Sequence, residues 1–535
     1  MINDFKASVP SSSSSPSTGA QLIPPPDDTA DENTRLAEFG YKQRLDRSIG
    51  RVASFAIGFS TISATTAVFS SFGAGYFTAG APFVWTLLLA VVVFAVWALI
   101  AGDLAAKIPL AGYAYQWTSR INGSTLGWFT GFAGIIGWVS GMTGVAYTFA
   151  GYIGSVFDWN ETPEQQIWIT VGVIIVSMLI NAYGVRLTTM INNIGVSLEL
   201  VVTVAATLIV GVLAFAVPEH RQPISVLFNG GTADGSYAAA WLAAAIGPFF
   251  GLIGVEASAD VAEETKGARR VIPRTMFYAL IVSSVIELLM YIVYVLAIRD
   301  PAAVAANQGA PIGEIIAQQA GPVFSKIVVA VALTNIFVCL LSNMLLATRL
   351  TYSLSRDNML PFSRQLRFVS PKHRSPANAV FVMAAIAIAL TLSALADATA
   401  FTYFLGICTL AFFTVYILQT AGLIVGHRKG RIPKPEQDTF DLGRSRMPIY
   451  IVGLVLFLTV EAGLLFLPQF AGNGWVFLGV MAAAAIWFFT GIRPRLKKGE
   501  AGPLYASTHP HEFEDSPATG AIGRVTAADR AEQTS

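Results

Sequence analysis

The chain has 535 residues, 54% hydrophobic and only 13% charged, with a mean hydropathy of +0.59, whereas an ordinary soluble domain carries roughly 25% charged residues; a typical soluble enzyme is excluded. Lys and Arg number 34 against 33 Asp and Glu, a net charge of +1, so no polybasic surface is available for a nucleic-acid partner. Cys339 and Cys408 lie inside apolar runs, and His220, His373, His427, His509 and His511 lie in polar segments or at segment ends without ligand spacing. A disulfide framework, a metal site and a haem site are therefore not expected, nor is any cofactor.

Residues 1–45 contain a serine run from Ser11 to Ser15, prolines from Pro24 to Pro26 and scattered acids. They lack the apolar core of about 7–15 residues that a cleavable signal peptide needs, and are expected to form a disordered cytoplasmic head. From 46 to 495 apolar runs recur, each long enough for the roughly 20 residues that cross a bilayer. Twelve are counted, at 51–79, 82–107, 125–156, 165–184, 190–216, 238–260, 273–298, 322–349, 377–396, 399–426, 448–468 and 474–492. They are continuous and rich in Leu, Ala, Ile and Val, which indicates helices rather than the short alternating strands of a barrel. The expected class is an all-α integral membrane protein of twelve transmembrane helices. Residues 496–535 are polar and low in aliphatics, and are expected to form a disordered cytoplasmic tail.

Basic residues separate the loops into two sets: 27 Lys and Arg between Lys42 and Lys498, Arg186 among them, flank span one on its N-terminal side or follow even-numbered spans, while the alternate loops hold only Arg221, Arg299 and Lys326. Because Lys and Arg accumulate in cytoplasmic loops, both termini are placed in the cytoplasm and the chain in the cell membrane.

Two spans break the pattern of a lipid-facing helix. Span one, through Ile57-Gly58-Phe59-Ser60-Thr61-Ile62-Ser63-Ala64-Thr65-Thr66-Ala67-Val68-Phe69-Ser70-Ser71, is crowded with hydroxyls. Ser and Thr there can bond backbone groups or a ligand, so an interruption lining a cavity is expected, although hydroxyls merely packing on a neighbouring helix would also explain them. Span six carries Gly247, Pro248, Gly251 and Gly254, followed by Glu256 within the membrane; Pro removes a ladder donor and Gly weakens the helix. Two interrupted segments five spans apart are the arrangement of an inverted-repeat secondary transporter, with the site between them.

The stretch Gly254-Val255-Glu256-Ala257-Ser258-Ala259-Asp260-Val261-Ala262-Glu263-Glu264-Thr265-Lys266, followed by Arg269-Arg270-Val271-Ile272-Pro273-Arg274, resembles the span-six signature of the amino acid, polyamine and organocation transporter superfamily, closest to its amino acid and choline branch. Ile108-Pro109-Leu110-Ala111-Gly112-Tyr113-Ala114-Tyr115-Gln116-Trp117 after span two agrees with it. So do Ser355-Arg356-Asp357-Asn358-Met359-Leu360-Pro361-Phe362-Ser363 and Ser375-Pro376-Ala377-Asn378-Ala379 between spans eight and nine. The resemblance implies a leucine-transporter-type fold, with spans one to five and six to ten as inverted repeats and spans eleven and twelve peripheral. It implies a substrate carboxylate on free N–H groups of the first break and a substrate ammonium on span-six carbonyls. Matched by position, the breaks fall at Thr65-Thr66-Ala67 and Ile253-Gly254-Val255, and the first departs from the family, which often has glycine where Thr65 and Ala67 stand. The implied substrate residues are Ser63, Ala64, Thr65, Thr66, Ala67, Phe250, Ile253, Gly254, Val255 and Glu256, with Phe250 as the aromatic that closes over the substrate.

An unpaired charge at mid-helix costs about 2.5–3.5 kcal/mol on insertion scales, so intramembrane acids are functional candidates. Glu256 at the second break and Glu199, about nine residues or roughly 13 Å into span five, are the proton-coupling candidates. Glu287 and Glu461 are read as structural, hydrogen-bonded to neighbouring helices, and Asp103, one turn before Lys107, as a structural acid that is either solvated or paired. Glu263, Glu264, Lys266, Arg269 and Arg270 form either an inner-gate network or a solvated loop. Gly127/Gly131 and Gly137/Gly141 have the small-xxx-small spacing of close helix packing. No G-x-x-x-x-G-K-[ST] loop occurs, so ATP is not the expected energy source. The expectation is a proton symporter for an amino acid or small amine, bathed in membrane lipid. The alternatives are a polyamine- or choline-type carrier, an exchanger, a nutrient sensor and, least of all, a lipid-acting enzyme.

Overall fold

Apolar helices of this length stop only where something other than lipid satisfies their backbone, and the positions of hydroxyls, glycines and prolines decide those stops. The computed structural model describes residues 33, 36–159, 162–229, 236–370, 373–395, 400–467 and 470–513. Among the described residues eleven helices are long and apolar enough to cross a membrane. Spans one to six are Arg51–Ala79, Ala81–Lys107, Ser124–Phe157, Pro163–Ala182, Arg186–Ala216 and Tyr237–Asp260. Spans seven, eight, ten, eleven and twelve are Ala268–Leu296, Pro322–Arg356, Tyr403–Arg428, Gly443–Phe466 and Gly472–Lys497. Span nine, Ala377–Ser393, is shorter at 17 residues, about 25 Å at 1.5 Å per residue, and completes the twelve that the hydropathy pattern predicts. A further amphipathic helix, Tyr113–Asn122, lies between spans two and three behind Gly112; its polar composition hid it from a search for apolar runs.

The two expected interruptions are present. Span one consists of helices Arg51–Thr61 and Ala64–Ala79, joined through Ile62 and Ser63. The break therefore lies N-terminal to the expected Thr65-Thr66-Ala67, which instead form the first turn of the second half. Ser63 causes the shift: its Oγ accepts the Thr66 N–H at 3.1 Å, the helix-capping geometry that serine favours. Span six pauses after Ile246–Leu252 and resumes at Ala257. Ile253 is extended there and Gly254 has φ +96°, a left-handed conformation that favours glycine; this break lies at the expected residues.

Spans one and six run antiparallel in close contact. A Cβ added at Gly247 would come 2.6 Å from Ser71 Cβ, one at Gly251 2.6 Å from Ala67 Cβ, and one at Gly254 2.5 Å from Thr61 Cγ2. Their outer ends are also tied: the Ile49 N–H donates to Glu264 O and the Lys266 N–H to Ile49 O, both at 2.9 Å. The start of span one is thus stitched to the segment after span six. Spans eleven and twelve bury only 22% of their apolar windows inside the protein, against 83% for span one, as peripheral helices should.

Contacts gather the basic segments on one face, with Tyr41 on Asp357, Arg186 on Asp46, Lys107 on Asp441 and Arg349 on Glu264. The opposite face carries the Asp158–Lys326 pair and the Gln319–His220 contact. Part of each terminal segment differs from the expected disorder. Leu36, Tyr41 and Leu45 are buried, and beyond Lys497 the chain docks on the basic face with Tyr505 buried, Glu512 2.5 Å from Arg367 and the Phe513 carbonyl on Arg44. A few aromatic and charged anchors suffice there because they dock on an existing surface, whereas the compositional argument considered only whether the segments could build a core of their own. The remainder of both segments lies outside the described residues.

Candidate functional site

The two breaks border one narrow cavity of about 20 Å³, space for about one water-sized molecule. Ser63, Thr66 and Ala67 reach it from span one, Phe250, Gly251 and Ile253 from span six, and Gly141 and Val145 from span three. Span eight adds Cys339 and Asn343, span ten Cys408, and Thr61 completes the lining. Of the residues expected at the site, Ser63, Thr66, Ala67, Phe250 and Ile253 line this cavity; Ala64, Thr65, Gly254, Val255 and Glu256 do not. Thr61 and Gly251, beside the breaks, were not among the expected site residues, and Gly141, Val145, Cys339, Asn343 and Cys408 on spans three, eight and ten were missed. The latter five sit in otherwise ordinary apolar helices, and among them only the polar Asn343 within span eight offered a local signal.

Glu199 is brought to the first break. Its carboxylate accepts the Thr65 N–H at 2.8 Å and the Ser63 hydroxyl at 2.9 and 3.0 Å. An anion at a helix N-terminus is favoured by the free N–H groups and the helix dipole, so Glu199 fills the position where the sequence placed a substrate carboxylate. It also opens a π-helical turn, Glu199–Thr203, within span five, a local irregularity of the kind that recurs at functional sites.

Glu256 is buried on the far side of the second break from the cavity. Its carboxylate accepts from Tyr113 Oη at 2.8 Å, Tyr416 Oη at 3.1 Å and Trp97 Nε1 at 3.0 Å. Three donors from span two, the amphipathic helix and span ten hold the residue after Gly254-Val255 in place, and satisfy a buried acid without a counter-cation. Glu287 in span seven is also buried beside the breaks, with its Oε2 unpartnered. Glu461, on peripheral span eleven, likewise has one oxygen accepting from a hydroxyl, that of Thr414, and its Oε2 unpartnered.

On the basic face, Glu263 makes a two-pronged pair with Arg356 at 2.9 Å on both arms, and Glu264 pairs with Arg349 at 2.5 and 3.2 Å. All four side chains are buried, so these acids form a network rather than a solvated loop. Arg269 pairs with Glu436 and Arg270 lies 4.0 Å from Asp438, whereas Lys266 is exposed. Asp357 accepts from Tyr115 at 2.7 Å and Tyr41 at 2.8 Å. Burial pushes the Glu264 and Asp357 carboxyls up, and the neighbouring guanidiniums of Arg349 and Arg356 pull them back. Of the two alternatives for Asp103, pairing holds: it is buried against Lys107 and Arg446. Among the described residues, no three His, Cys, Asp or Glu side chains converge as a metal site.

A profile of the amino acid permease family matches residues 49–492. Similar curated proteins include a branched-chain amino acid permease of Lactococcus lactis, 26% identical over 86% of this chain and 96% of its own length. An amino-acid permease of Arabidopsis thaliana is 24% identical over 80% of this chain and 87% of its own, and amino-acid permease 2 of Neurospora crassa is 23% identical over 75% and 77%. The match spans both broken helices and every bundle element that surrounds the cavity. The chain therefore belongs to the amino acid permease family and is a multi-pass membrane transporter with a leucine-transporter-type fold.

Proposed function

We propose that the chain carries a neutral amino acid with an apolar side chain by proton symport, with the substrate between the two breaks and Glu199 as the coupling acid. The observation that carries the substrate class is the cavity lining: it holds no charged side chain, and Val145, Ile253, Phe250, Cys339 and Cys408 outnumber its polar groups. A cationic or acidic side chain would enter without a counter-charge, at a desolvation cost that the site does not offset. A choline-like cation needs several aromatic faces, and the lining offers only Phe250, which disfavours the organic-cation reading. The printed name of the Lactococcus lactis relative, a branched-chain amino acid permease, supports the same class.

Glu199 holds Ser63 and Thr65 at the break, and Ser63 lines the cavity. A proton on Glu199 weakens its grip on the Thr65 N–H and frees that donor for the substrate carboxylate, so proton and substrate act on the same half-helix. Glu256 serves as a positioning residue for the second break. The basic face is cytoplasmic by the positive-inside rule, with both termini inside the cell, and its buried ion pairs close the inner end of the path. A cavity of about 20 Å³ must widen to admit any amino acid.

The test is uptake in proteoliposomes of radiolabelled leucine, valine, alanine, glutamate, lysine, putrescine and choline, with and without an imposed pH gradient. Gradient-driven accumulation of the neutral apolar substrates supports the reading. Preference for lysine, putrescine or choline sinks the substrate class, and uptake that requires sodium and ignores the gradient sinks the coupling.

A further inference from the structure

We propose that Glu287 is a second proton-bearing carboxyl of the coupling machinery, protonated in this conformation and joined to Glu199 through the broken peptide of span one. The inference rests on the proton-symport reading and adds a residue to it.

Ser283 Oγ lies within hydrogen-bond distance of both the Ile62 carbonyl and, at 3.2 Å, Glu287 Oε1. A serine hydroxyl has a single proton, and a carbonyl oxygen can only accept. With Glu287 ionised, the one Ser283 proton is shared between Ile62 and Oε1; with a proton on the carboxyl, Ser283 donates fully to Ile62 and accepts from Glu287. Ile62 is the residue at which span one leaves the helix, and its orphaned carbonyl is one of the groups that a break must satisfy.

The surroundings agree. Glu287 is fully buried, its Oε2 has no hydrogen-bond partner, and that oxygen lies 3.6 Å from where a Cβ would stand on Gly251. The carboxyl thus points into the seam between Ala67 of span one and Gly251 of span six. The ionisable groups facing it are Glu199 from span five and Tyr291 one turn along its own helix, the latter held by Ser71 at 2.6 Å. Spans one and six contribute only backbone and small side chains there, and no basic group is among its electrostatic partners. An ionised carboxylate would have neither a counter-charge nor a donor for Oε2.

The two acids thus clamp one junction from opposite sides. Glu199 takes the Ser63 hydroxyl and the Thr65 N–H, while Glu287 acts through Ser283 on the Ile62 carbonyl, the atom bonded to the Ser63 amide. Loss of the Glu287 proton turns its oxygen into an acceptor competing for the single Ser283 hydroxyl proton. That competition draws Ser283 away from Ile62 and loosens the junction that carries Ser63 into the cavity.

Infrared spectroscopy of the purified full-length protein in lipid tests this, because a protonated buried carboxyl has a C=O stretch distinct from that of carboxylate. The expected result is a band present in the parent and in Glu199→Gln and lost in Glu287→Gln. Ser283→Ala, which keeps the acid but removes its acceptor, should shift the band to higher frequency. Glu287→Gln keeps the shape and can donate its amide N–H to Ser283, so it should bind leucine but flatten the pH dependence of leucine affinity. An unchanged band set in Glu287→Gln, or a parent-like pH profile in that variant, overturns the proposal. If the band behaves as expected but the parent ignores a pH gradient, symport falls while the protonated state of Glu287 stands.

Discussion

Glu199 and Thr65, 134 positions apart in sequence, meet in a hydrogen bond of 2.8 Å from the Thr65 amide to the Glu199 carboxylate. A side chain of span five therefore supplies the anion that the second half of span one requires at its N-terminus. Glu199→Gln keeps an acceptor for Thr65 but removes the charge. Charged hydrogen bonds contribute about 1.5–3 kcal/mol against roughly 0.5–1.5 for neutral ones, so stability should fall by about 1 kcal/mol. Accumulation of leucine driven by a pH gradient should disappear while exchange of preloaded leucine continues. Gradient-driven accumulation at the parent level would remove Glu199 from the coupling scheme.

Gly254 combines φ +96° with a Cβ position 2.5 Å from Thr61 Cγ2 and 3.2 Å from the Trp138 ring. Gly254→Ala should cost about 2 kcal/mol in backbone strain and contact, and reduce uptake at least about tenfold with normal membrane expression. Parent-level stability and uptake in this variant would show that the second break does not depend on the left-handed backbone at Gly254.

Gly141 faces the cavity, and a methyl there would lie 3.1 Å from Cys408 Sγ and 3.4 Å from Asn343 Oδ1. One methyl in an apolar pocket discriminates by about 1–3 kcal/mol. Gly141→Ala should therefore raise the KM for leucine by about tenfold and that for alanine by much less. Adding Cys408→Ala should relieve the effect. Equal changes for both substrates would dissociate Gly141 from side-chain selection.

Arg349 and Glu264 form a buried pair at 2.5 Å. Breaking such a pair from one side costs about 3–5 kcal/mol because the remaining charge is left uncompensated. Arg349→Met should lower the Tm in detergent strongly, and Arg349→Met/Glu264→Leu should recover most of the loss. Additive destabilisation in the double variant would show that the two side chains act separately.

Orientation can be read at Lys266, which is exposed beside the buried acids. In a background lacking Cys339 and Cys408, Lys266→Cys should react with a membrane-impermeant thiol reagent in inside-out vesicles and stay unlabelled in intact cells. Labelling in intact cells would invert the topology.

The second break was legible because Gly247, Pro248, Gly251 and Gly254 punctuate span six in the sequence itself. The first was misplaced toward Thr65 because span one has no such punctuation: the decisive signal is the Ser63 cap, one hydroxyl among many. Glu263 and Glu264 were legible as charges, but their partners Arg356 and Arg349 lie 93 and 85 residues away, a pairing that only the packing of span eight creates. Glu287 read as an isolated acid in an apolar helix. Its significance depends on Ser283 reaching Ile62 across 221 positions, which no local pattern encodes.

The two-way backbone tie between Ile49 and the Glu264–Lys266 segment has a mechanical consequence. With their ends tied and their half-helices interlocked at glycine contacts, sliding of one broken helix past the other would break both sets of contacts, whereas tilting them together keeps them. A force that rotates one half-helix at the basic face is therefore passed to its partner through these bonds.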